Sequence, residues 1–231
     1  MKKKTTIIIP TYNEEKNIKK ILKILEPKKR EIIIVDDNSQ DATAMIAKKM
    51  GAHVISRPEK MGIGSAIRDG LKHATCEKII LMDADFSHNP HQTKQIEQEL
   101  EKTSVVFLSR FVKGGGFEQK AHRLIGTKTL NILTKKILRL KTQDNTNGHF
   151  GIKKETIKKI LKKYEEKKVN PFYTLYQTSI AYACSELGIK IKEIPTTYKN
   201  RMAGITKLSS INTGIEQLKM IIKLKITNLK T

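Results

Sequence analysis

Short apolar runs alternating with helical patterns constrain this chain more than any other feature. Thr5–Ile9, Glu31–Val35, His53–Ser56, Lys78–Met82 and Val105–Ser109 are each four or five residues long and rich in Ile and Val. Runs of this kind read as strands buried on both faces. Between them apolar residues recur at helical spacing, as at Ile18, Ile21, Leu22 and Leu25. Strands joined through helices return to the sheet by right-handed crossovers. The predicted class is therefore α/β, with a mostly parallel central sheet flanked by helices. Pro10 is expected to stop the first strand, and Pro90–Glu101 to form one helix. Further on, Arg123–Leu140 reads as a long basic helix, Gly148–Ile152 as a strand, and Lys154–Glu166 and Tyr173–Leu187 as helices. Ile189–Ile194 reads as a late strand, and VKGGGFEQ and TTYKNRMAGITK as loops. One domain over residues 1–207, followed by a C-terminal amphipathic helix over 208–231, is the expected organisation.

The strand at Lys78–Met82 runs into Asp83 and Asp85, with only Ala84 between them. Residues two apart in an extended segment point the same way, so the two carboxylates repel unless a cation sits between them. Mg²⁺ or Mn²⁺ accepts such oxygen ligands and keeps positions open for substrate phosphates. Ala84 would let a diphosphate approach the backbone. Asp-x-Asp also occurs in ordinary turns, but α/β sheets bind ligands at the carboxyl ends of their strands. Gly62-Ile63-Gly64 lacks the third glycine of a dinucleotide fingerprint and does not follow the first strand, so these read as helix-packing glycines. Asp36 reads as a turn residue, and His88, His91 and His122 read as solvated loop histidines.

Charge narrows the partners. Lys and Arg number 45 against 23 Asp and Glu, a formal charge of +22. That excess favours phosphorylated substrates, nucleic acid or an anionic membrane face. Six Tyr and six Phe, with no aromatic-rich stretch, argue against a nucleic-acid module. Two distant cysteines, Cys76 and Cys184, suggest a reduced, cytoplasmic setting. No apolar run approaches ~18 residues, and MKKKTTIIIP is too short for a signal-peptide core, so no spanning helix is expected. The last helix carries Ile211, Ile215, Leu218, Ile222, Ile226 and Leu229 on one stripe, with lysines beside it. Either that stripe packs on the core, or it lies on a membrane surface.

Four motifs in order carry a family resemblance: PTYNE at Pro10–Glu14, VDDNSQD at Val35–Asp41, DADFSHNP at Asp83–Pro90, and NRMAGITK at Asn200–Lys207. Together with GLKHAT at Gly70–Thr75 and SRFVKGG at Ser109–Gly115, they resemble the inverting family 2 glycosyltransferases of GT-A fold. Within that family the chain is similar to the dolichyl-phosphate mannose synthases. The resemblance implies a nucleotide-sugar-binding GT-A fold, a GDP-mannose donor, a dolichyl or polyprenyl phosphate acceptor, and Mg²⁺ or Mn²⁺. It implies that Pro10, Tyr12 and Glu14 shape the nucleotide pocket, and that Val35 and Asp37 meet base and ribose. Asp83, Ala84 and Asp85 would hold metal and diphosphate, with Arg110 close to the transferred sugar. Arg201 and Lys207 would close over the diphosphate. Arg123 would help Arg110 hold the acceptor phosphate, or else stand as a solvated cation on its helix; Tyr12 could equally be a packing residue. A peripheral position at the cytoplasmic membrane face, with a small membrane-spanning subunit as partner, is further implied.

Two departures from the family pattern stand out. Its D-x-T-S-G-F element reads DNTNGHF at Asp144–Phe150, and Ser179 follows Gln177 where the family carries a glutamate after its F-Q pair. These differences leave the sugar open, with UDP-glucose as the rival donor. A basic nucleic-acid-binding module and a membrane-surface scaffold without catalysis are the alternatives of another class.

Overall fold

The computed structural model describes residues 3–118, 121–167, 170, 176–199 and 210–227, without the side chains of 121–123 and 210–215. Nine strands and eight α-helices are found among them. In chain order they are β1 Thr5–Thr11, α1 Glu15–Leu25, β2 Glu31–Asp36, α2 Thr43–Lys49, β3 His53–Ser56, α3 Ile63–His73 and β4 Lys78–Leu81. Then come α4 Thr93–Lys102, β5 Val105–Ser109, β6 Gly116–Phe117, α5 Ala121–Leu138, β7 Phe150–Lys153 and α6 Lys154–Glu166. The chain continues through α7 Tyr176–Glu186, β8 Lys192–Pro195, β9 Thr197–Tyr198 and α8 Ser210–Thr227.

Seven strands form one sheet in the order β3-β2-β1-β4-β7-β5-β8. All are parallel except β7, which runs antiparallel to both β4 and β5. Alternation along the strands feeds two cores. Ile8, Ile33, Val35, Ile79, Leu81 and Phe107 face one side, where α3, α6, α7 and α8 add their buried residues. Ile7, Ile9, Ile32, Ile34, Ile80 and Val106 face the other, covered by α1, α2 and α4. Each such side chain contributes about 1.5–3 kcal/mol on leaving water, which is why central strands here have no polar face. The last helix joins the first core through Met220, Ile221 and Leu224.

The structure corrects several expectations. Pro10 does not stop β1; it pairs in register with Val35. The Ile8 carbonyl accepts from Met82 N, so even-numbered residues of β1 turn toward β4. Pairing with β4 ends at Ile8, so the missing N–H of Pro10 breaks no ladder. The helix expected over Pro90–Glu101 begins as a 3₁₀ turn, Pro90–Gln92, before α4. Both expected loops contain a strand, because β6 and β9 pair as a small parallel ribbon. Gly62 is not a packing glycine: it has φ +88° and an added Cβ would meet nothing within 4 Å. Its value is the left-handed turn that leads into α3.

Candidate active site

In a parallel sheet the C-terminal ends of β1, β2 and β4 share one edge, and the candidate residues gather there. Asp37 N donates to the Thr11 carbonyl at 2.9 Å, tying the β1 and β2 ends together. Asp36 accepts from Thr11 Oγ1 at 2.9 Å and from Ser39 N at 3.0 Å, which is the turn role expected for it. Asp37 is buried and accepts from Arg57 Nη1 at 2.8 Å, Met61 N at 2.9 Å and Gly62 N at 2.8 Å. Its carboxylate thereby fixes the segment that leads into α3. Glu14 is buried too and accepts from Asn17 Nδ2 at 2.7 Å. The Tyr12 ring lies under the Lys60 ammonium, 4.2 Å from the ring centre. Pro10 is half-buried at the same edge, whereas Val35 is wholly buried and has only its backbone to offer a ligand.

Beyond β4 the chain turns sharply at Phe86, φ +61°. Asp85 holds that turn by accepting from Ser87 N at 2.9 Å and Ser87 Oγ at 2.5 Å. It is 3% exposed, and Ala84 beside it is equally buried. The Asp83 side chain keeps 30% of its surface open. One carboxylate is therefore buried in the turn and the other partly open to solvent. His88 is not a solvated loop histidine: it is 1% exposed, with Nε2 3.5 Å from Asp83 Oδ2. His91 is exposed as expected, and the side chain of His122 lies outside the described residues.

His88 meets His149 edge-on at 5.4 Å between ring centres. Among the described residues, neither ring nor Asn147 Nδ2 finds a hydrogen-bond partner. Burial and the neighbouring His88 hold His149 well below the usual imidazole range. A histidine neutral in the fold but free to protonate when unfolded makes the unfolded state bind more protons as pH drops. Stability is thus expected to fall below about pH 6.5, with a slope of up to about 1.4 kcal/mol per pH unit from this group. Urea unfolding of His149→Phe should show a shallower acid slope than the parent; an unchanged slope would contradict the assignment.

Arg110 follows β5 and is 7% exposed. Its Nε and Nη2 each donate to Asp144 at 2.7 Å, a bidentate pair, and Nη2 reaches Thr146 Oγ1 at 2.9 Å. None of these bonds uses Nη1. The guanidinium also lies 5.3 Å from the centre of the Tyr198 ring, which stacks on Phe117 across the β6–β9 ribbon. Tyr198 in turn meets His88 at 5.1 Å, and the next residue's backbone, Lys199 N, donates to the Ser87 carbonyl at 3.0 Å. Burial, together with Asp85 and Asp83, pushes the Tyr198 phenol up, against the opposing pull of Ser87. The ribbon therefore joins the Arg110 cage to the two aspartates.

Gln177 clasps the loop between them. Its Oε1 accepts from Gly148 N at 2.5 Å and its Nε2 donates to the Asp144 carbonyl at 3.0 Å. Gly148 has φ +94°, and a Cβ there would stand 3.0 Å from the Tyr176 hydroxyl and 3.6 Å from Asp83 Oδ2. Buried Ser179 lies on the same helix, which is occupied with holding the loop.

Pro10, Tyr12, Glu14, Val35 and Asp37 thus gather at the β1–β2 ends, and Asp83, Ala84, Asp85 and Arg110 around the β4 end. Arg201 and Lys207 lie outside the described residues, as does the side chain of Arg123 in the first turn of α5. Sequence reasoning missed Asp144 as the partner of Arg110, and missed His149, Asn147 and Tyr198. The DNTNGH stretch signalled a special loop, but nothing in it says which arginine the loop would meet.

The sheet, with acids at one edge and a basic cage beside them, has the layout of a GT-A glycosyltransferase. Glucosyl-3-phosphoglycerate synthase from Mycobacterium tuberculosis, solved with Mg²⁺ and uridine-diphosphate, superposes with a TM-score of 0.70 at 18% identity. The match covers 96% of this chain and 79% of that one, and establishes the fold. The chain belongs to glycosyl transferase family 2, which it matches over residues 6–161, and it is a glycosyltransferase. Polyprenol monophosphomannose synthase from Mycolicibacterium smegmatis is 28% identical over 222 residues, 90% of this chain and 82% of that protein. Dolichol-phosphate mannosyltransferase from Pyrococcus furiosus is 30% identical over 237 residues. That alignment takes in 96% of this chain but 63% of the archaeal protein, so the chain spans less than two thirds of that relative. Among the described residues, no helix is long and apolar enough to cross a membrane.

Proposed function

We propose that the protein transfers mannose from GDP-mannose to dolichyl or another polyprenyl phosphate, with inversion at the anomeric carbon. The observation that carries this reading is the Asp83–Asp85 pair at the end of β4, one carboxylate open and one fixed, joined through Tyr198 to the Arg110 cage. The names of the two relatives support the mannosyl and polyprenyl assignments.

The residues present suit a hard divalent cation. Among the described residues no group of three or more His, Cys, Asp or Glu could hold one alone. Mg²⁺ commonly takes one or two carboxylates and completes its shell with water and substrate phosphates, which is what Asp83 and Asp85 provide for. Such an ion, when bound, would neutralise charge on the departing diphosphate. The remaining work falls to the chain. Asp37 and Arg57 fix the segment beside the nucleotide pocket formed by Pro10, Tyr12, Glu14 and Val35. Arg110, held rigid by Asp144, presents positive charge without reorganising during reaction. Arg123 would share the acceptor phosphate, and Arg201 with Lys207 would close over the donor.

A phosphate acceptor is already anionic near neutral pH, so attack needs alignment more than a general base. The acceptor's lipid tail sets the reaction at a membrane surface, on the cytoplasmic side, with a small membrane-spanning subunit as a further partner. Radiolabelled GDP-mannose and UDP-glucose, offered with Mn²⁺ and a panel of polyprenyl phosphates, test the reading. Label should enter the lipid phase from GDP-mannose and need the acceptor's phosphate. Transfer from UDP-glucose alone would overturn the donor, and no transfer to any lipid phosphate would overturn the reaction.

A further inference from the structure

We propose that His88 is a positioning residue for Asp83: its Nε2–H aims the open carboxylate at the divalent cation that Asp83 and Asp85 would share. This role rests on the cation reading and adds to it the residue that orients the outer ligand.

The two aspartates are held unequally. Asp85 is fixed by two bonds from Ser87, whereas among the described residues no hydrogen bond fixes the Asp83 carboxylate. A carboxylate left to spin gives up that freedom on meeting an ion, and ligating carboxylates are in turn hydrogen-bonded by an outer partner. The left-handed turn at Phe86 supplies one. It folds the chain back so that His88 Nε2 comes within 3.5 Å of Asp83 Oδ2. At that separation the contact is not yet a good hydrogen bond, and closing it to ~2.9 Å takes only a small rotation of the carboxylate.

Packing decides which partner moves. The His88 ring is buried and meets two others edge-on, His149 at 5.4 Å and Tyr198 at 5.1 Å between ring centres. Tyr198 is itself stacked on Phe117, and His149 is wholly buried. An interior packed in this way does not let a ring swing freely. Asp83, with 30% of its side chain open, has room to turn. Gly148 keeps that room clear: a Cβ there would stand 3.6 Å from Asp83 Oδ2 and 3.8 Å from His88 Nε2, beside the pair.

The hydrogen-bond inventory points the same way. A neutral imidazole carries one N–H and one acceptor nitrogen. Among the described residues neither His88 nitrogen has a hydrogen-bond partner. A buried donor left unmade is costly, and native folds rarely keep one without a use. The Asp83 carboxylate beside Nε2 selects the tautomer that carries its proton there. One oxygen of Asp83 then accepts from His88, and the other is left for the ion. His149 adds no competing charge at neutral pH, because burial holds it in the neutral form.

The Mn²⁺ dependence of GDP binding, read by calorimetry in the parent, His88→Phe and His88→Gln, tests this role. Phe keeps a ring in the packing but has no donor, and Gln restores an N–H near the place of Nε2. His88→Phe should need at least about tenfold more Mn²⁺ than the parent for the same tightening of GDP. His88→Gln should recover most of that loss. GDP affinity in chelator is the control for the fold, and His88→Leu takes the place of His88→Phe if the larger ring is not accommodated. A Gln variant no better than the donorless ones would overturn the proposal. So would loss of GDP binding in chelator by both donorless variants, which would make His88 a packing residue. A Mn²⁺ effect that survives undiminished in His88→Phe removes this role alone. A parent with no Mn²⁺ effect removes the cation reading and this role together, so the two failures are distinguishable.

Discussion

Replacing Asp83 by alanine is expected to lower sugar transfer by about a thousandfold, or about 4 kcal/mol of transition-state stabilisation. Stability should move by no more than about 1 kcal/mol. The asymmetry follows from where the carboxylate stands. Asp83 is partly open, and His88 Nε2 lies 3.5 Å away, too long for a good hydrogen bond. Among the described residues its removal takes no hydrogen-bond partner from a buried donor. Asp85 is the less informative target, since Ser87 N and Oγ both depend on it and the Phe86 turn would suffer. Steady-state transfer and urea unfolding on the same Asp83→Ala preparation check both halves. Retained turnover would remove Asp83 from the chemistry.

The second large effect falls on stability. Asp144→Ala leaves Arg110 buried without its carboxylate, and breaking one side of such a pair costs about 3–5 kcal/mol. The Arg110 backbone N–H loses the same partner, a bond of 2.9 Å. Glu193, which accepts from Gln143 N and Asp144 N, would still hold the loop but could not neutralise the guanidinium. Urea unfolding should register the loss. The Arg110→Met/Asp144→Leu double variant, which removes both charges together, should regain most of it. It should remain without transfer activity, because the recovered core has no cation to meet a phosphate. If the double variant unfolds as readily as Asp144→Ala, the penalty lies in the loop rather than in the orphaned charge.

The sheet was legible because its strands are dense in Ile and Val, and runs so short and apolar have few other uses. The direction of β7 was not, since periodicity carries no polarity and the antiparallel insertion depends on where the preceding loop returns. Pro10 misled because the rule against proline in a strand concerns the side on which its N–H would bond, and that side depends on where β4 ends. The aspartate pair drew attention through its place after a buried-looking strand, since Asp-x-Asp by itself also occurs in ordinary turns. The Arg110–Asp144 pair could not, because 34 residues separate its members and neither sits in a motif that names the other. His88 misled for a related reason: a histidine beside an acidic turn looks the same whether solvent or Tyr198 covers it. α5 reads from its sequence as a long basic helix, and nothing in that pattern says that Asn131 turns inward to meet the site loop.

If Asp83 and Asp85 hold a nucleoside diphosphate through a divalent cation, the ion must strengthen nucleotide binding. Calorimetric titration of GDP into the purified protein, with Mn²⁺ and then with chelator, measures this. Mn²⁺ should tighten GDP binding by at least about tenfold, roughly 1.4 kcal/mol, and Asp83→Ala should lose the gain. Equal affinity with and without the ion, or a gain that survives in the variant, would remove the two carboxylates from nucleotide binding.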